Sequence, residues 1–125
     1  MPCNNRRVHA LLAAALEPAL RDLTSTCDAS WRLDETEWNG PLSAWLWEST
    51  SGMGIFIERD ASFEAQVASL ADQIQEFAIE YLRSTSWPEC LLHPGTHPMD
   101  AAVFETRAVW CCPKSHEVLA DVGAL

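Results

Sequence analysis

Six apolar residues, Phe63, Val67, Leu70, Ile74, Phe77 and Tyr81, recur at alternating steps of four and three. No strand puts residues so spaced on one face, whereas a helix of 3.6 residues per turn aligns them all. Between them stand Glu64, Gln66, Asp72, Gln73, Gln75, Glu76 and Glu80. The spacing predicts a helix over residues 62–84, capped by Asp60 or Ser62, with one apolar stripe and a polar, largely acidic back. That stripe must be covered by another layer. Three heptads are too few for a coiled-coil seam, so the expected cover is a sheet.

The remaining elements follow from the same reasoning. Val8, Leu11, Leu12, Ala15, Leu16, Ala19, Leu20 and Leu23 have helical spacing, which predicts a first helix over residues 6–24, kinked or restarted at Pro18. Trp31 to Trp38 reads as a strand with an exposed, acidic end at Asp34-Glu35-Thr36-Glu37. Ala44 to Trp47 and Ile55 to Ile57 read as a hairpin around Ser51-Gly52-Met53-Gly54, a loop longer than the tightest type. The first of these strands is apolar on both faces and is expected to be central. Val103 to Glu105, Ala108 to Cys111 and Val118 to Val122 read as short strands. No internal repeat is visible. The expected fold is α+β, an antiparallel sheet packed by two helices, with a small β segment at the C-terminus. The 125 residues form one expected domain, with residues 6–86 as its α+β core and 87–125 as the C-terminal segment.

The charge balance narrows the partners. Eighteen acids stand against eight bases, a net charge of −10, and Lys114 is the only lysine. Such a surface repels nucleic-acid backbones and anionic lipid, so neither is an expected partner. Arg6-Arg7 before the apolar run from Val8 to Leu16 has the outline of an export signal. His9 interrupts the run, Glu17-Pro18 follows it, and it is too short to span a bilayer, so the expected location is the cytoplasm.

The five cysteines are an odd number, and Cys111-Cys112 are adjacent, which excludes a fully paired disulfide framework. The segment from Trp87 to Pro98 holds Cys90, His93 and His97 among prolines and a glycine. Trp110-Cys111-Cys112-Pro113 and His116 follow. Thiolates and imidazoles at these spacings suit Zn²⁺. Cys90, His93, His97 and Cys112 would make a closed Cys₂His₂ site. A rival set pairs Cys90-x2-His93 with Cys112-x3-His116, and Cys111 is an alternative to Cys112. Neighbours on a strand point to opposite faces, so only one of those two thiols should face a metal.

Trp87-Pro88-x-Cys90-x2-His93-x3-His97-Pro98 with Trp110-x-Cys112-Pro113 resembles the C-terminal part of a group of small bacterial proteins with no assigned activity. The resemblance covers roughly the last 40 residues well and the rest in outline. It implies a zinc-ribbon-like tail behind a helix, hairpin, helix order, and it favours Cys90, His93, His97 and Cys112 as ligands over the set with His116. The chain departs from that group's pattern at Leu91, where a proline is usual, and at Cys111, where an apolar residue is usual.

A catalytic constellation is missing from the sequence. His93-x3-His97 has the spacing of a metalloprotease helix, but Pro94 and Gly95 oppose a helix and the glutamate after the first histidine is absent. The segment around Cys90 is similar to half of a zinc deaminase motif, without its His-x-Glu half. His9 reads as a structural histidine, and Cys3 and Cys27 as bystanders. Six tryptophans are many for this length, and Trp45 and Trp47 alternate on one strand face. They read first as core residues, and otherwise as a groove lining or a candidate contact surface. The partner surface is favoured if Trp31 shares an exposed face with them. The expected function is therefore a small zinc-stabilised binding or adaptor protein that contacts another protein. Two alternatives stand beside it. One is a metal-dependent hydrolase using Cys90, His93 and Cys112 with Glu89 as base. The other is an acidic inhibitor or immunity-type protein that blocks a basic enzyme.

Overall fold

A computed structural model describes residues 9–28, 30–82 and 86–125. Along them a helix is followed by three strands, and the same order then repeats. The elements are α1 (Ala10–Thr26), β1 (Arg32–Asp34), β2 (Ser43–Glu48), β3 (Ser51–Phe56), α2 (Phe63–Tyr81), β4 (Asp100–Phe104), β5 (Arg107–Cys111) and β6 (Val118–Asp121). The strands form two antiparallel sheets, ordered β1-β2-β3 and β4-β5-β6. The fold is α+β as expected, an antiparallel sheet with two helices, and the expected C-terminal β segment forms a second three-stranded antiparallel sheet.

The helix α2 is the shared support. It packs along α1 and touches β3, β4 and β5, so both sheets lean on it. Its stripe is buried at Val67, Leu70, Ile74 and Phe77, while Phe63 at its start stays exposed. Ser62 caps it, its hydroxyl accepting from the Ala65 N–H. One continuous core joins Leu12, Leu16 and Leu23 of α1, Leu46 and Ile55 of the first sheet, the α2 stripe, and Trp110 of the second sheet.

Pro18 does not interrupt α1, which runs unbroken from Ala10 to Thr26. The residue whose carbonyl loses its partner is Ala14, and it lies on the exposed face, where water can serve that carbonyl. His9 starts the helix by accepting the Leu11 N–H on Nδ1. Cys3, Arg6 and Arg7, and the expected end of α2 at residues 83 and 84, lie outside the described residues. No described helix is long and apolar enough to cross a membrane.

Two strand boundaries differ from expectation for identifiable reasons. β1 stops at Asp34 because its carboxylate accepts from both the N–H and the hydroxyl of Thr36, which turns the chain. The β2–β3 hairpin turns at Ser49-Thr50, with Glu48 opposite Ser51, so Gly52 and Gly54 are strand residues and not loop residues. Their lack of a side chain makes room for indoles: a Cβ on Gly52 would lie 2.6 Å from the Trp47 ring, and one on Gly54 2.6 Å from the Trp38 ring.

Candidate metal centre

The site is built on two turns that the second sheet brings together. The first is the segment from Trp87 to Met99. Its ends run antiparallel, with the Met99 N–H donating to the Pro88 carbonyl (2.8 Å) and the Cys90 N–H to the His97 carbonyl (3.1 Å). At its tip the Thr96 N–H bonds the His93 carbonyl (3.2 Å), and Gly95 has φ of 78°. Pro94 and Gly95 are thus the central pair of a type II turn, in which the third position requires a left-handed backbone. The turn sets His93 and His97 on either side of it, with ring centroids 5.1 Å apart. The prolines that excluded a helix therefore bring the two imidazoles together by another route.

The second turn follows β5. Within β5 and just beyond it, Trp110 and Cys112 are buried, while the Cys111 side chain faces away and its Sγ lies 3.5 Å from the Asp100 carbonyl. Strand alternation thus separates the adjacent thiols. The chain after Cys112 folds back, with the His116 N–H donating to the Cys112 carbonyl and the Ser115 N–H lying 3.5 Å from the Cys112 Sγ. His116 is exposed and contributes no donor to the cluster.

One ligand atom from each of Cys90, His93, His97 and Cys112 lies within 4.8 Å of the other three. His93 Nδ1 is 3.6 Å from each sulfur and 3.2 Å from His97 Nε2. With Zn–S of about 2.3 Å and Zn–N of about 2.05 Å, the edges of a tetrahedron are about 3.6 Å for S···N and about 3.3 Å for N···N. The three separations measured from His93 Nδ1 thus match the edges of a tetrahedron about a single ion, and the four donors together lie close enough that they could hold one. Both thiols are buried, His97 is half-buried and His93 is exposed.

Burial opposes the charged form of Cys112. Hydrogen bonds from the Ser115 backbone and hydroxyl, the Lys114 backbone and the Cys90 thiol outweigh it and bring its pKa from 9.0 down to about 6. Cys111 moves the other way: burial pushes its thiol up, and Asp100 and Cys112 add to the rise. The thiol turned into the cluster is thus the one prepared to ionise.

Several supports of the site were not singled out from sequence. Buried Gln75 of α2 donates its Nε2 to the carbonyls of both Trp87 and Met99, the two ends of the ligand loop. Buried Asp22 of α1 accepts from the Trp110 indole (2.8 Å) and from the N–H groups of Gly123 (2.6 Å) and Leu125 (2.8 Å). Thr26 accepts from the Trp87 indole at 2.8 Å, and the Trp87 and Trp110 rings meet edge to face at 5.6 Å. The tryptophan ahead of each ligand turn is therefore clasped by α1. A polar residue inside an otherwise apolar helical face, as at Asp22, was the only sequence signal for these roles.

Trp45 and Trp47 lie on the other sheet. They stack at 5.8 Å on the outer face of β2, with Trp38 and Phe56 extending the row and the Arg32 guanidinium 5.4 Å above the Trp47 ring. Trp31 packs against the core instead. Glu89, the hydrolase candidate base, is exposed and pairs across the loop base with Pro98.

Comparisons with protein-family models, with curated proteins and with solved structures find no match to this chain.

Proposed function

We propose that the chain is a small zinc-stabilised binding module: Cys90, His93, His97 and Cys112 hold one Zn²⁺ as a structural clamp, and the protein acts by contacting another protein, without catalysis. The observation that carries the metal reading is the convergence of four thiol and imidazole donors within 4.8 Å of one another, with the three separations from His93 Nδ1 at tetrahedral edge lengths. The donors come from two turns separated by β4 and β5, so a bound ion would tie the 87–99 loop to the end of β5 in the manner of a zinc ribbon. Four protein donors around one point are the pattern of a structural site, whereas a hydrolytic site keeps a position for water and a base beside it. A two-thiolate centre suits a reducing compartment, which fits the cytoplasm.

The surface best suited to a partner is the aromatic row of Trp38, Trp45, Trp47 and Phe56, where Trp38 is 42% exposed. Indoles in such positions dominate the energetics of protein contacts. Tagless protein should carry close to one zinc per chain by mass spectrometry, and chelation should lower its melting temperature. Metal far below one equivalent, with no thermal shift on chelation, would refute the clamp. A partner captured from the native host should be lost on Trp45→Ala or Trp38→Ala and kept on substitution of Val103 at the far sheet. The opposite pattern would refute the surface.

A further inference from the structure

We propose that His93 is the exchangeable ligand of the metal centre, and that the position it leaves accepts an imidazole-type nitrogen donor from outside the chain. The inference rests on the metal reading above. The two imidazoles of the cluster are held in different ways. The Nδ1 of His97 lies 3.1 Å from the Pro98 carbonyl, a bond that keeps the proton on Nδ1 and leaves Nε2 as the donor. A hydrogen bond behind a ligating imidazole fixes its tautomer and orientation, and its loss costs about 10–100-fold in metal affinity. His93 turns Nδ1 inward, and its Nε2 has no hydrogen-bond partner among the described residues.

Position adds to the asymmetry. Cys90 and Cys112 are fully buried, whereas His93 is exposed and the residues after it, Pro94 to Thr96, are exposed too. The turn holds the His93 carbonyl, through the Thr96 N–H and hydroxyl, and not its ring. A side-chain rotation takes the ring into solvent without breaking a backbone bond. Cys90, His97 and Cys112 then remain as three protein ligands with one outward position, the pattern of an open zinc site.

The chemistry of the vacated position selects its occupant. Two thiolates on a divalent ion leave the centre neutral, on a chain of net charge −10. An incoming anion meets repulsion where a neutral donor does not. Imidazole is neutral and suits a borderline ion. In the exchange the metal–Nδ1 bond of His93 breaks and a bond to the incoming nitrogen forms. Neither a proton nor an electron is transferred, since one neutral donor replaces another.

Cobalt(II) gives the centre a visible spectrum and tests the idea. His93→Ala should retain cobalt at least tenfold more tightly than His97→Ala, and millimolar imidazole should restore the four-coordinate spectrum to His93→Ala alone. N-acetyl-histidine amide, run in parallel, should restore it where a peptide-borne ring is the natural donor; restoration by free imidazole alone assigns the position to a small molecule. Equal losses in the two variants, or rescue of both or neither, would overturn the proposal. If a variant does not fold, cobalt-loaded native protein decides: the His93 ring N–H should exchange with solvent at least tenfold faster than that of His97, and equal protection would overturn the inference. A native chain that takes up no cobalt defeats the metal reading itself, and this one with it.

Discussion

Replacing Gln75 with methionine tests whether the ligand loop is held from α2. Methionine keeps the length and the unbranched shape of glutamine and removes its amide. The change strands two buried acceptors, the carbonyls of Trp87 and Met99, which Gln75 Nε2 serves together. An acceptor left without a partner in the interior costs about 1–3 kcal/mol, and the buried methionine returns part of that through apolar burial. The expected net loss is about 2–4 kcal/mol. For a chain of this length that is a fall of about 8–15 °C in melting temperature. Gln66→Met is the matched control, because the Gln66 amide serves a single carbonyl, that of Glu58, away from the ligands. It should cost about half as much. Thermal melts of the chelated proteins measure both losses, and a competition titration against a zinc indicator measures affinity. Gln75→Met should also weaken zinc binding, since its two carbonyls bracket residues 88–98, and Gln66→Met should leave it unchanged. Equal stability losses in the two variants, or a Gln75→Met protein with native zinc affinity, would refute the view that Gln75 pins the loop.

Cys90→Ser and Cys112→Ser should each lose stoichiometric zinc, while Cys111→Ser and His116→Ala should retain it; metal analysis after gel filtration separates the four, and a Cys111→Ser protein without zinc would contradict the observed side-chain directions. Gly54→Ala places a methyl group 2.6 Å from the Trp38 ring and should cost about 1–3 kcal/mol in urea unfolding, with a rise in Trp38 exposure seen by fluorescence quenching. The metal-free protein should gain stability with rising pH through the Cys112 thiol. Its folded pKa of about 6 lies below the ordinary 9.0, so the unfolded chain binds more protons between those values. That contribution is fully present above about pH 9 and is lost as the pH falls through about 6. Cys112→Ser should flatten the curve of melting temperature against pH across that window, and an unchanged slope would show that the thiolate is not stabilised.

Much of the helical structure was legible because helical periodicity is a local property. The 3.6-residue period of Val67, Leu70, Ile74 and Phe77 needs no knowledge of what covers it. The separation of Cys111 from Cys112 was equally legible, since alternation follows from the pleat of any strand. The hairpin turn was misplaced by its glycines, which look like turn residues in sequence. They are small because Trp38 and Trp47 lie across them, a fact about packing on the sheet face. The separation of the C-terminal β segment from the first sheet was legible, but that both sheets lean on α2 had no local signature, because it depends on which faces the helix covers. The burial of Gln75, which periodicity assigns to the polar back of the helix, and of Asp22 had no local signature for the same reason. Their partners lie as many as 24 and 103 residues away.

The ligand types and the stiffness of their loop were written into the chain, and the thiolate and imidazole chemistry follows from composition alone. Whether four such residues meet at one point is a different matter. That depends on the pairing of Asp100 with Cys111, which sets the end of β5 beside the base of the 87–99 loop. It depends equally on Asp22, Thr26 and Gln75, which hold the two flanking tryptophans and the loop ends. Short-range spacing sets the local geometry of each turn, and long-range hydrogen bonds and core packing bring the two turns to a common centre.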